Sequence, residues 1–149
     1  MDQFRRLTLR AAGALAAALL LPVRALAASW NKDAFQSRSA ADALKNLGVA
    51  SSADSKDIVI EAPQIAENGA VVPIEVTSNI PNTKSIAVLI EKNPFPLVAQ
   101  FEFLDAALPY VKVNVKVGES SFVRVVAEAG GRHYAASKEV KVTIGGCGG

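Results

Sequence analysis

From Ile58 to Ile144 apolar side chains recur at every second residue, in short runs separated by turn-forming residues. That period belongs to strands with one buried face and one wet face, and it excludes a helical bundle for this part of the chain. The strictest case sets Val111, Val113, Val115 and Val117 against Lys112, Asn114 and Lys116. Gly118 then turns the chain, "SFVRVVAEA" runs to Gly130-Gly131, and "RHYAASKEVKVTI" returns with Val140, Val142 and Ile144 facing inward. The glycine pair predicts a tight hairpin, and so does Asn68-Gly69 between "IVIEAPQIA" and "AVVPIEVTS". In the second of these runs Val72, Ile74 and Val76 oppose Pro73, Glu75 and Thr77. Pro73 lacks an N–H, which predicts an edge strand or a bulge. "SIAVLIEK" is nearly all apolar, as a central strand requires. "NPFP" (93–96) breaks the pattern, and "LVAQFEF" follows with Ala99, Phe101 and Phe103 opposite Gln100 and Glu102. About seven strands at roughly 8–12-residue spacing predict a mainly β fold, an antiparallel β-sandwich of immunoglobulin-like layout. With one cysteine in the chain, the core disulfide of antibody domains cannot form.

The helical signal is confined to "SRSAADALKNLG". Ser39 is placed to cap, and Asp42 follows three residues later as a weak form of the capping box. Ala40, Ala43, Leu44 and Leu47 share a face, and Gly48 suits the position just past the end. A short N-terminal helix is therefore expected, followed by a polar connector from Val49 to Asp57.

Ahead of it, "MDQFRRLTLRAAGALAAALLLPVRALA" has Arg5 and Arg6, then an apolar run from Ala11 to Leu21, then a small-x-small site at Ala25–Ala27. That is the three-part pattern of a secretory signal peptide. The run is shorter than the roughly 20 apolar residues a membrane span needs. "RRLTLR", with Leu9 and Arg10 following the paired arginines, is similar to a twin-arginine signal, although Thr8 stands where that motif often has phenylalanine. The expected organisation is a signal over 1–27, helix and connector over 28–57, sandwich over 58–144 and a glycine-rich arm over 145–149. Cleavage after Ala27 would remove Arg5, Arg6, Arg10, Arg24 and Asp2, leaving 12 basic and 13 acidic residues of the chain's 16 and 14. The mature part then carries no cluster of positive charge of the kind that nucleic acid or a membrane surface requires.

Conventional catalysis finds little support. His133 is the only histidine; it falls beside the Gly130-Gly131 turn and is expected to be exposed. A zinc site needs three or four ligands, which one His and one remote Cys do not supply. Phe101, Phe103, Phe122 and Tyr134 read as core or interface aromatics. The remaining feature is the ending "GGCGG". Cys147 is the only cysteine, flanked by Gly145, Gly146, Gly148 and Gly149. Glycine has no side chain and few backbone restrictions, so the segment is expected to be thin and mobile. Five extended residues reach roughly 17 Å. The nearest basic residue in sequence is Lys141, and the terminal carboxylate two residues away disfavours the thiolate. A thiol of ordinary pKa, about 8.5, is only a few per cent ionised at neutral pH. Such a cysteine does little alone and suits activation inside another protein's pocket. The expectation is a non-catalytic covalent carrier with no metal and no cofactor. An exported binding or structural protein whose tail cysteine forms an intermolecular disulfide is the alternative. A thiol redox protein is a third reading, disfavoured because no resolving cysteine is present.

The ending "KEVKVTIGGCGG" resembles SoxY, the sulfur-carrier family of the periplasmic thiosulfate-oxidising Sox system. The likeness extends through "VKVGESSFVRVVAEAGGRHYAASKEV", "NPFPLVAQFEF" and "IAENGAVVPIEV" to "SAADALKNLG". The resemblance implies an immunoglobulin-like sandwich that pairs with a SoxZ-like subunit as a heterodimer. It implies that Cys147 is joined to thiosulfate as a cysteine S-thiosulfonate by the haem enzyme SoxAX. SoxB would then hydrolyse the terminal sulfonate, and SoxCD, where present, would oxidise the remaining sulfane sulfur. A periplasmic location by way of the twin-arginine route follows from the same resemblance.

Overall fold

A computed structural model describes residues 30–104 and 107–143. The chain divides into two units, Met1–Trp30 and Asn31–Gly149, and every element below belongs to the second.

Two helices come first, α1 (Lys32–Phe35) and α2 (Ala40–Asn46), where the sequence predicts one. A four-residue helix has too few turns to leave a periodic signal. It forms because the Asn31 side chain accepts the Ala34 N–H at 3.1 Å and its amide donates to the Asn46 carbonyl at 2.8 Å, tying α1 to α2. The α2 boundaries follow the expectation. Ser39 Oγ accepts the Asp42 N–H at 3.0 Å and donates to the Asp42 carboxylate at 2.7 Å. At the other end Gly48 adopts φ +78°. Gly48 N–H then donates to Lys45 O and Val49 N–H to Leu44 O, which caps the helix with paired bonds back to its last turn.

The strands are β1 (Ala53–Asp54), β2 (Ile58–Glu61), β3 (Ile65–Ala66), β4 (Val72–Ser78), β5 (Thr83–Ile90), β6 (Leu97–Glu102), β7 (Tyr110–Val115), β8 (Ser121–Ala129) and β9 (Arg132–Val142). The large sheet runs β1-β9-β8-β5-β6, with β3 also on β9; the small sheet runs β2-β4-β7. All the longer strands pair antiparallel, and only the two-residue β1 and β3 run parallel to β9. The core lies between the sheets, where Ile74, Val76, Ile86, Val88, Ile90, Val123, Val125 and Val140 are fully buried. Removing a side chain of this size from water contributes about 1.5–3 kcal/mol.

The large sheet is also covered on its other face. Ala34 of α1 and Ala43 of α2 are buried against Ala87, Leu89, Leu97, Val126 and Ala135. Both faces of β5 are therefore dry from Ile86 to Ile90, which explains why "SIAVLIEK" reads as nearly continuous apolar sequence rather than as alternation. Gly130 and Gly131 take φ +58° and +74° and join Ala129 to its partner Arg132 in the expected two-residue hairpin.

Two expectations are corrected. Asn68-Gly69 makes a turn but not a tight hairpin: the runs on either side of it do pair antiparallel, as β2 with β4, but the chain between them detours through β3, which pairs with β9. The Asn68 side chain accepts the Ala70 N–H at 2.9 Å, a local turn that carries the chain from one sheet to the other. Pro73 lies in the middle strand of the small sheet, not in an edge strand. It escapes the donor problem because β2 pairs only with Glu75–Ser78, leaving Pro73 beyond the end of β2.

Gly69 is needed here for space. Its carbonyl accepts the Val117 N–H at 2.7 Å. A Cβ at this position would overlap the Val117 carbonyl oxygen and come within 2.9 Å of Val142 Cγ1. Gly69→Ala is expected to lower stability by about 1–3 kcal/mol, the usual cost of forcing an extra carbon into a packed site. Urea unfolding of the two proteins measures the difference.

Candidate functional site

β9 is the longest strand and leads directly to the C-terminus. Cys147, Gly145, Gly146, Gly148 and Gly149, as well as Ile144, lie outside the described residues. The structure does place the point from which they leave. On one side of β9, Lys141 N–H donates to Gln64 O at 3.0 Å and Thr143 N–H to Ala66 O at 3.2 Å. On the other, Val142 N–H donates to Ser120 Oγ at 2.9 Å. Cys147 is four residues beyond Thr143, so an extended chain would carry its Cα roughly 13 Å from that point.

Away from the thiol, the described residues offer few groups that could act chemically. His133 stands in β9 opposite Glu128 of β8, half-buried and not exposed at the turn as the sequence suggested. With Glu128, Gln100 and Ser85 it lines a cavity of about 50 Å³ beneath Leu47 and Val49, room for little more than water. Among the described residues no group of three or more His, Cys, Asp or Glu side chains could hold a metal ion. Of the aromatics, Phe101, Phe103 and Tyr134 pack partly buried against the core, whereas Phe122 is 48% exposed. No described helix is long and apolar enough to cross a membrane.

One polar cluster was not anticipated from sequence. On the outer face of the small sheet Glu75 of β4 accepts from Lys112 Nζ at 2.6 Å and from the Tyr110 hydroxyl at 2.7 Å. β4 and β7 set Glu75 directly opposite Lys112, and Tyr110 is two residues back on the same face. The Lys112 hydrogen bond, then that of Tyr110, hold the Glu75 carboxyl below the usual glutamate range. The same carboxylate raises the pKa of Lys112 and that of Tyr110. The group is solvent-exposed and structural in character. Its only sequence signal is the placement of charged residues on the outward positions of two alternating runs.

A two-sheet antiparallel body with a lone thiol beyond its last strand defines an immunoglobulin-like β-sandwich protein. The chain belongs to the SoxY family of sulfur oxidation proteins: the family model matches residues 44–147, ending on Cys147. The sulfur carrier protein SoxY from Chlorobium limicola f thiosulfatophilum is similar, with 38% identity and a TM-score of 0.62 over 70% of this chain and 96% of that one. A superoxide reductase (neelaredoxin) from Ignicoccus hospitalis shares the fold at 21% identity, with a TM-score of 0.50 over 58% of this chain and 80% of its own. No curated protein is a significant match to the chain.

The charge cluster gives a pH-dependent expectation. A carboxyl whose folded pKa is depressed contributes stability in full above its ordinary value, 4.5 here, and loses it as pH falls through the lower folded value. Carbon-detected NMR should find Glu75 titrating below ordinary glutamates. In Lys112→Ala its midpoint should move up toward the ordinary value.

Proposed function

We propose that this protein carries sulfur covalently on Cys147 and presents it to separate thiosulfate-oxidising enzymes. Membership of the SoxY family, through a match that ends on this cysteine, carries the reading. The 38% identical Chlorobium protein, itself a sulfur carrier, supports it.

Loading joins the Cys147 thiolate to the outer sulfur of thiosulfate. One S–S bond forms, the thiol proton is released, and two electrons pass to the haem enzyme SoxAX. Hydrolysis by SoxB then breaks the bond between the outer sulfur and the sulfonate. Water supplies the fourth oxygen of sulfate, and a persulfide stays on Cys147. SoxCD, where present, oxidises that sulfane sulfur. Gly145, Gly146, Gly148 and Gly149 put no side chain beside the thiol, so a narrow active-site cleft can admit it. The negatively charged intermediate remains attached to the body, and each enzyme meets it at raised effective concentration. The chain itself is a non-catalytic carrier, paired with a SoxZ-like subunit. It acts in the periplasm after cleavage of residues 1–27, exported by the twin-arginine route.

Intact-mass measurement of the protein from thiosulfate-grown cells tests the reading. The native chain should gain one thiosulfonate group and, after hydrolysis, one sulfur atom. Cys147→Ser should fold normally and gain neither. A reducible dimer with no sulfur adduct would instead make Cys147 a crosslink, and thiosulfate oxidation sustained by Cys147→Ser would end the carrier proposal.

A further inference from the structure

The end of β9 is held more firmly than its pairing in the sheet provides. β8 begins at Ser121, opposite Val140, so beyond Val140 the strand has no ladder partner on that side. The Ser120 side chain takes the place of the missing strand. Its hydroxyl accepts the Val142 N–H at 2.9 Å and lies 3.5 Å from the Val142 carbonyl oxygen. The opposite edge is closed by β3, through the Gln64 and Ala66 carbonyls. Gly69 sits so close to Val142 that a methyl group there would press on its side chain.

The loop that supplies Ser120 is itself fastened. Asn93, from the turn between β5 and β6, accepts the Gly118 N–H at 3.0 Å and donates to the Lys116 carbonyl at 2.7 Å. The Val117 N–H goes to Gly69. Two segments far apart in sequence thus close around the last described residues, and a third, at Asn93, braces one of them. Strand ends ordinarily fray at little free-energy cost, and fraying is what these bonds oppose.

We propose that this collar fixes the point at which the carrier segment leaves the sandwich, and that Ser120 is its positioning residue. The proposal rests on the carrier reading of Cys147. With the collar closed, the thiol hangs four residues beyond Thr143. If Lys141, Val142 and Thr143 came loose, the tether would grow from four residues to seven. Effective concentration falls roughly as the −3/2 power of tether length, so the thiol would present itself about twofold more dilutely to an enzyme docked on the body.

The test compares Ser120→Ala and Ser120→Thr with the native chain, each bound to its partner subunit. Losing one neutral hydrogen bond should speed amide exchange at Val142 and Thr143 about fivefold in Ser120→Ala, with the thermal midpoint lower by only a few degrees. In loading assays with thiosulfate and the haem enzyme, KM for the carrier should rise up to about twofold with kcat unchanged. Ser120→Thr keeps the hydroxyl and should restore both. Unchanged exchange in Ser120→Ala would overturn the proposal. So would faster exchange with KM and kcat both unmoved. If the native chain gains no sulfur adduct, the carrier reading fails and the positioning role falls with it. The missing mass shift tells that outcome apart, while exchange still shows whether Ser120 holds the strand.

Discussion

The burial on both faces of β5, and of the middle of β8, is the constraint around which the fold is arranged. Their inward side chains, among them Ile86, Val88, Ile90, Val123 and Val125, pack against the small sheet. Their outward side chains Ala87, Leu89 and Val126 would face water if the chain stopped at a two-layer sandwich. The helices cover them in a cluster rich in small residues, Ala34, Ala43, Ala87 and Ala135 beside Leu89, Leu97 and Val126, and small residues let helix and sheet backbones approach closely. The N-terminal segment is therefore part of the body. The connector joins it as well, since Ala53 and Asp54 add to the edge of β9 as β1.

The described body places few reactive groups in its interior. Its interior is aliphatic, its one histidine lines a water-sized space, and its polar cluster of Glu75, Lys112 and Tyr110 is spent on an exposed sheet face. What it supplies is a defined exit for the chain. β9 is the longest strand of the large sheet, and its end is gripped by β3, Ser120 and Gly69. On the proposed carrier reading, a thiol beyond such an anchor needs no activating neighbour of its own. An unperturbed cysteine is mostly protonated near neutral pH, and another protein would supply the base and the oxidant. The stability of the body and the reactivity of the carrier are thereby separated along the chain.

Much of this was legible in sequence wherever the signal is local. Ser39, Asp42 and Gly48 mark the ends of α2, because caps satisfy backbone groups within the same few residues. Gly130-Gly131 marks its hairpin, because both positions need positive φ. Asn68-Gly69 carried the same kind of signal and was half right: the runs on either side of it pair, as β2 with β4, but not through a tight hairpin. The turn it encodes is real, but which strands pair on either side depends on residues far away. Pro73 misled for a related reason: whether a strand is at an edge can vary along its length, and β2 stops short of it. Helix α1 was missed because its stability comes from Asn31 reaching Asn46, a contact invisible to periodicity.

By itself the sequence determined that the chain is a β-sandwich with one capped helix, and that a single thiol sits among glycines past the last strand. Alternation, caps and composition are properties of neighbouring residues, and neighbouring residues are enough to read them. Only the tertiary structure decided that helices seal the outer face of the large sheet, that β3 leaves its own neighbours to clasp β9, and that Ser120 stands in where β8 has not yet begun. Those facts depend on which distant segments meet, and a one-dimensional pattern holds no record of distance through space.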